Sequence, residues 1–147
     1  MTMMSKKSSS AGSKVRPVRA LIVDDKPQVR QDLRRLLELS GIVEVTGEAA
    51  DGVEALRLAS VLIPDVAVVD LEMPGMDGCE LTARLKTRQP TLRVVILSVH
   101  AGAGEVARGL AAGADSFVVK GSEYPVLLNA ISGKDQVNQI KKEGKTR

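Results

Sequence analysis

Five polar residues, Asp24, Asp25, Asp70, Ser98 and Lys120, stand at the ends of short apolar runs in this chain of 147 residues. Taken singly, each has an ordinary explanation. An aspartate after an apolar run caps a helix or makes a turn, and a loop lysine is commonly solvated. Gathered at one place, they form a reactive set. Three carboxylates within a few ångströms repel and raise one another's pKa unless a cation intervenes. A hard divalent ion, Mg²⁺ or Mn²⁺, resolves that conflict, and Mg²⁺ typically takes one or two carboxylates together with water and phosphate oxygens. A carboxylate can also attack phosphorus and form an aspartyl phosphate, with Lys120 and Ser98 supplying a charge and a hydrogen bond to the transferred group. No GxxxxGK[ST] segment is present, so a P-loop nucleotide site is not indicated. His100 is the single histidine and by itself builds neither a triad nor a histidine metal site.

The elements that must position these residues are legible from periodicity. Apolar runs occur at residues 20–23, 42–45, 66–69, 94–97 and 117–119. All but the second are continuous and rich in β-branched residues, which suits strands buried on both faces. The second alternates, with Val43 and Val45 against Glu44 and Thr46, and reads as a more exposed edge strand. Between the runs, Val29, Leu33, Leu36 and Leu37 share one helical face, and Gly41 stops that helix. Residues 52–60, 78–88, 103–112 and 123–132 read as four more helices, with Gly113 closing the fourth helix of the chain. Five strands alternating with five helices imply an α/β fold with a parallel sheet, right-handed crossovers and helices on both faces. In such a sheet ligands bind beyond the carboxyl ends of the strands. Four separate strands then deliver acid, acid, hydroxyl and amine to one edge.

Composition sets the outer bounds. An apolar fraction of 44% supports a packed core, and the length suits one domain. No apolar run approaches the roughly 20 residues of a membrane span, and no apolar stretch follows the basic start to make a secretory signal. Cys79, the single cysteine, excludes an internal disulfide, so a soluble, cytoplasmic protein is expected. The net charge of +3 is uneven: residues 1–19 carry +5 and residues 134–147 carry +3, so the middle must carry −5. Residues 1–16 are expected to be a disordered basic tail, 17–133 the folded unit, and 134–147 a basic tail or truncated linker without an output domain. With one Phe and one Tyr in the chain, the basic residues read as solvated tails, and direct nucleic-acid binding is not expected.

The segments Ile22-Val23-Asp24-Asp25, Pro64 to Gly78 (PDVAVVDLEMPGMDG), Val95-Ile96-Leu97-Ser98 and Gly113 to Lys120 (GADSFVVK) resemble the receiver domain of bacterial two-component response regulators. The likeness runs in the family's order and spacing from Val18 to Ser132. It implies a flavodoxin-like, CheY-like (βα)5 fold with strand order 2-1-3-4-5. It implies Asp70 as the acceptor of a phosphoryl group from a sensor histidine kinase or phosphotransfer protein. Asp24 and Asp25 match the acidic pair of the Mg²⁺ site, Asp70 is also a ligand, and the backbone carbonyl of Glu72 is a further one. Ser98 matches the switch hydroxyl, Phe117 the switch aromatic and Lys120 the phosphate-contacting lysine. Glu72 and His100 match positions that adjust the lifetime of the phosphoryl group. Phosphorylation in this family changes the surface of the fourth helix, fifth strand and fifth helix, and with it the choice of a homodimer or a downstream protein target.

Departures from the family pattern stand beside the likeness. Lys26 follows the acidic pair where small acidic or polar residues are common, and Gly121 follows Lys120 in place of a frequent proline. Together with Ser98-Val99-His100, the latter resembles the branch whose receivers precede a LuxR-type helix-turn-helix. The expected activity is a signalling switch with self-catalysed phosphotransfer and autodephosphorylation, not a metabolic enzyme. The competing readings are a phosphorylation-independent adaptor working through protein contacts or its tails, a nucleic-acid binder using the tails, and a small phosphatase. The last lacks the DxD spacing, since Asp70 is followed by Leu71-Glu72.

Overall fold

The computed structural model describes residues 16–135, so the expectations for residues 1–15 and 136–147 lie outside the described residues. The chain alternates strictly: β1 (Val18–Val23), α1 (Pro27–Leu39), β2 (Val43–Ala49), α2 (Gly52–Leu62), β3 (Val66–Asp70), α3 (Gly78–Arg88), β4 (Arg93–Ser98), α4 (Ala103–Ala111), β5 (Ser116–Val119) and α5 (Tyr124–Ser132). The strands form one parallel sheet in the order β2-β1-β3-β4-β5. The expected architecture and strand order are both present.

Alternate residues of each central strand feed two cores. Leu21, Val23, Val69 and Ile96 pack with Ala55, Leu56, Leu81 and Leu85 of α2 and α3. Ala20, Ile22, Val68 and Leu97 pack on the other face with Leu33, Leu37, Leu127 and Ile131 of α1 and α5. Leu21, Ile22, Leu81 and Ile96 are fully buried, each contributing about 1.5–3 kcal/mol relative to exposure. The continuous apolar runs of β1, β3 and β4 are thus the signature of strands covered on both sides.

The helix ends follow their local chemistry. Pro27 opens α1, where the missing amide hydrogen costs nothing. Asp51 and Asp77 cap α2 and α3 by accepting from the amides of Glu54 (2.8 Å) and Glu80 (2.9 Å). Helix α4 has no side-chain cap and buries only Gly109, fewer residues than any other of the five helices. Among the described residues, no helix is long and apolar enough to cross a membrane.

Strand β2 differs from its sequence expectation. It runs on to Ala49 because a register shift opposite Ala20 and Leu21 absorbs Thr46, whose hydroxyl donates to the Ala20 carbonyl at 3.1 Å. A bulge of this kind breaks the period-2 pattern and hides the second half of the strand. At the opposite edge, β5 is also an edge strand, yet Ser116, Phe117 and Val118 are buried by the helices that flank it.

Candidate functional site

Strand register brings the polar residues level. Val23 pairs with Val69, Asp70 with Leu97 and Ser98 with Val119, so Asp24, Asp70, Ser98 and Lys120 emerge side by side at the carboxyl edge. Backbone bonds continue the ladders past the strand ends: Asp24 donates to Ala49 (3.1 Å), Leu71 to Leu97 (2.8 Å) and Lys120 to Ser98 (2.7 Å). The edge is therefore held by main chain, and its side chains are presented from rigid elements.

The three carboxylates do converge. One oxygen from each of Asp24, Asp25 and Asp70 lies within 4.8 Å of the others. Asp24 and Asp70 are buried, at 2% and 3% exposure, while Asp25 is half-buried. Lys120 reaches between the buried pair, with its Nζ 3.0 Å from Asp70 Oδ1 and 3.3 Å from Asp24 Oδ2. Asp70 Oδ2 is buried and has no partner among the described residues. Leaving a buried carboxylate oxygen unsatisfied costs about 1–3 kcal/mol or more, a strain that a bound cation or a new covalent partner would relieve.

The electrostatics reflect that crowding. Burial pushes the Asp70 carboxyl above the usual carboxylate range. The Lys120 hydrogen bond pulls it back, the Asp24 charge pushes it up, the Lys120 charge pulls it back, and the nearby Glu72 backbone amide adds a smaller pull in the same direction. For Lys120, burial works against the charged form, but its contacts with Asp70 and Asp24 outweigh that and raise its pKa above the ordinary lysine value. The ammonium is thus a fixed positive charge between two acids.

The remaining predicted residues fall around this centre. Ser98 is fully buried, and its Oγ accepts the His100 amide at 3.1 Å. Phe117 is buried in the same core as Val69 and Ile96. Its ring occupies the space opposite Gly109 of α4, where an added Cβ would lie 2.9 Å from the ring. The side chains of Glu72 and His100 are exposed at the rim, and the His100 amide is donated inward to Ser98.

Sequence reasoning missed the supports behind the acids. Arg30 of α1 donates from Nη1 to the Asp24 carbonyl at 2.6 Å and from Nε to Glu48 of β2 at 3.2 Å, and Arg34 binds the other Glu48 oxygen at 2.8 Å. The Lys26 amide donates to Asp24 Oδ1 at 2.9 Å. Nothing local announces these contacts, because Arg30 and Glu48 are 18 residues apart and both stand in ordinary polar positions. Gly78 was legible as part of a motif, but not its task of letting α3 begin against the Asp70 backbone.

Comparison with known proteins bears on this arrangement. Residues 20–132 match the family described as response regulator receiver domain. The nitrate/nitrite response regulator protein NarP of Escherichia coli K12 is 41% identical over 115 residues, covering 78% of this chain and 54% of NarP. The solved signal receiver domain of NarL from Mycobacterium tuberculosis is 38% identical at a TM-score of 0.74, covering 80% of this chain and 98% of that one. A LuxR-family two-component response regulator from Aurantimonas sp. SI85-9A1 is 31% identical at a TM-score of 0.76, covering 89% and 99%. The chain spans about half the length of the curated relatives it matches.

Proposed function

The chain belongs to the response regulator receiver family of two-component signalling, and on that premise we propose that Asp70 accepts a phosphoryl group from the phosphohistidine of a sensor kinase or phosphotransfer protein. The observation that carries this reading is the state of Asp70: one carboxylate oxygen is held by Lys120 and the other is buried without a partner among the described residues. Attack by Oδ2 on phosphorus forms an oxygen–phosphorus bond as the phosphorus–nitrogen bond to histidine breaks, and the imidazole leaves.

The donor set fits a hard divalent ion, since one carboxylate oxygen from each of Asp24, Asp25 and Asp70 converges and Asp70 Oδ2 has no partner among the described residues. Asp24, Asp25 and Asp70, with the Glu72 backbone carbonyl, would hold Mg²⁺ or Mn²⁺, which when bound neutralises charge on phosphoryl oxygens. The protein's own parts do the rest. Lys120 stays charged and faces the acceptor, and Ser98 has a hydroxyl hydrogen to donate to a phosphoryl oxygen. Phe117, and Val106 of α4, pack in one core with Ile96, and Ser98 follows Ile96 by two residues on the same face of β4, so movement of Ser98 would be felt by Phe117 and α4. Glu72 and His100 stand at the rim, where they meet an incoming water and adjust how long the phosphoryl group persists.

The exchange is a switching event in the cytoplasm with self-catalysed uptake and loss of phosphate. Its consequence is a changed preference for a homodimer or a downstream protein. Control of transcription would run through a missing or separate output. The adaptor reading, with phosphorylation idle, predicts a missing acid or acceptor, and all of them are present here.

Intact mass after incubation with acetyl phosphate and Mg²⁺ tests the proposal. One added phosphoryl group, absent in Asp70→Asn and in the Mg²⁺-free control, is the expected result. An unmodified wild type that is folded and binds Mg²⁺ would overturn it in favour of the adaptor.

A further inference from the structure

Phosphoryl transfer, as assigned above, leaves Lys26 without a task, yet its side chain lies on the acidic pair. The residue stands at the turn from β1 into α1, with φ −100° and ψ 115°. Pro27 follows it and disfavours a helical backbone at residue 26, so the turn is not free to rotate the lysine away. Its amide is fixed on Asp24 Oδ1 at 2.9 Å, and its ammonium sits 3.4 Å from Asp25 Oδ1. Lys120 serves Asp24 and Asp70 from inside the fold, whereas Lys26 serves Asp25 from the solvent side, with 60% of its side chain exposed.

We infer that Lys26 is a tethered counter-ion that competes for Asp25 and thereby lowers the affinity of the acidic site for its divalent cation. The inference rests on the metal-site reading above and adds a regulation of that site. An ammonium is strongly hydrated and carried on a flexible stem, so it weakens binding without blocking it. At water-like screening, the repulsion between a single and a double charge that share one carboxylate corresponds to about a three- to tenfold change in affinity. Metal occupancy, and with it the capacity to take up phosphate, would then be half-maximal at a higher free divalent cation level than in a receiver with a neutral residue here.

Isothermal titration calorimetry of the full chain with MgCl₂ and with MnCl₂ tests this without reference to activity. Lys26→Gln is expected to bind either ion about three- to tenfold more tightly than the wild type, and Lys26→Arg, which keeps the charge, about as the wild type does. Raising NaCl from about 0.1 M to about 1 M should shrink the difference, because the screening length falls from about 10 Å to about 3 Å. The substitutions leave the amide contact to Asp24 intact and remove no buried side chain. Wild-type affinity in Lys26→Gln overturns the inference and leaves the metal site standing. Binding that Asp25→Asn does not weaken overturns the site reading, and this inference with it.

Discussion

Gly78 is where the fold and the acceptor share atoms, and Gly78→Ala is the sharpest test of how the site is built. A Cβ at this position would lie 2.5 Å from the Asp70 carbonyl oxygen and 2.8 Å from the Leu71 Cα. Both obstacles are backbone, and they cannot give way locally: β3 is hydrogen-bonded between β1 and β4, and the Gly78 amide itself donates to the Leu71 carbonyl at 2.8 Å. Forcing extra volume into such a site costs about 1–3 kcal/mol, while replacing glycine in a helix interior returns up to about 1 kcal/mol, and less at the first helical residue. The expected net loss is about 2 kcal/mol, a fall in melting temperature of roughly 5–8 °C for a domain of this size. Gly104→Ala is the matched control. Nothing lies within 4 Å of its added Cβ, and it sits in α4, so it should gain about 0.5 kcal/mol. Urea unfolding followed by far-ultraviolet circular dichroism reads both, with midpoints compared at unchanged slope. At temperatures where Gly78→Ala remains folded, phosphoryl uptake from acetyl phosphate should also slow, because the displaced atoms are those of the acceptor residue. A Gly78→Ala protein within about 0.5 kcal/mol of the wild type, or shifted in the same direction as Gly104→Ala, would refute the close-approach argument.

Other outcomes follow from single residues. Ile63 ends α2 in the left-handed region (φ 47°, ψ 63°) with 59% of its surface exposed, a conformation costly for a β-branched residue; Ile63→Gly should raise stability by about 0.5–1 kcal/mol after the added chain entropy is subtracted, read by thermal melting. The hydrogen bond from Arg34, opposed by partial burial and aided by Arg30, holds the Glu48 carboxyl below the usual range. Its contribution is therefore present above the unfolded value near about 4.3 and lost as pH falls through the lower folded value. Glu48→Gln should cost about 1 kcal/mol at pH 7 and little near pH 3, so a deficit that persists unchanged at pH 3 contradicts the assignment. Asp135 accepts from Arg93 at 2.8 Å and from the Ser116 hydroxyl, and its side chain is 8% exposed. Asp135→Ala takes the acceptor from the buried Ser116 hydroxyl and one of two acceptors from the partly buried Arg93 Nη2, and should cost about 1–3 kcal/mol by urea denaturation; a neutral result means that solvent replaces the carboxylate.

Much of the site was legible because its residues obey a local rule. A strand buried on both faces must be a continuous apolar run, so the first polar residue after the run marks the carboxyl edge of the sheet. Asp24, Asp70, Ser98 and Lys120 could each be placed there without any knowledge of their neighbours. The starts of α2 and α3 were legible as well, and Asp51 and Asp77 fix them by accepting from amides three residues on. Where a local pattern was interrupted, the reading fell short: the Thr46 bulge concealed the second half of β2, and the ends of α2 and α4 moved by one or two residues.

What the amino-acid sequence by itself determined, then, is which residues face the core and which stand at the edge, because burial periodicity is encoded over a few residues. Only the tertiary structure decided how the charges at that edge are shared. Lys120 closes on Asp24 across 96 residues, Lys86 and Arg93 reach acids 29 and 42 residues away, and Arg30 finds both Glu48 and the Asp24 carbonyl. Long charged side chains have several ångströms of reach and no periodic signature, so their partners are set by the distances that sheet register and helix packing leave between them. The same packing leaves Asp70 Oδ2 without a partner among the described residues, the feature on which the proposed chemistry depends.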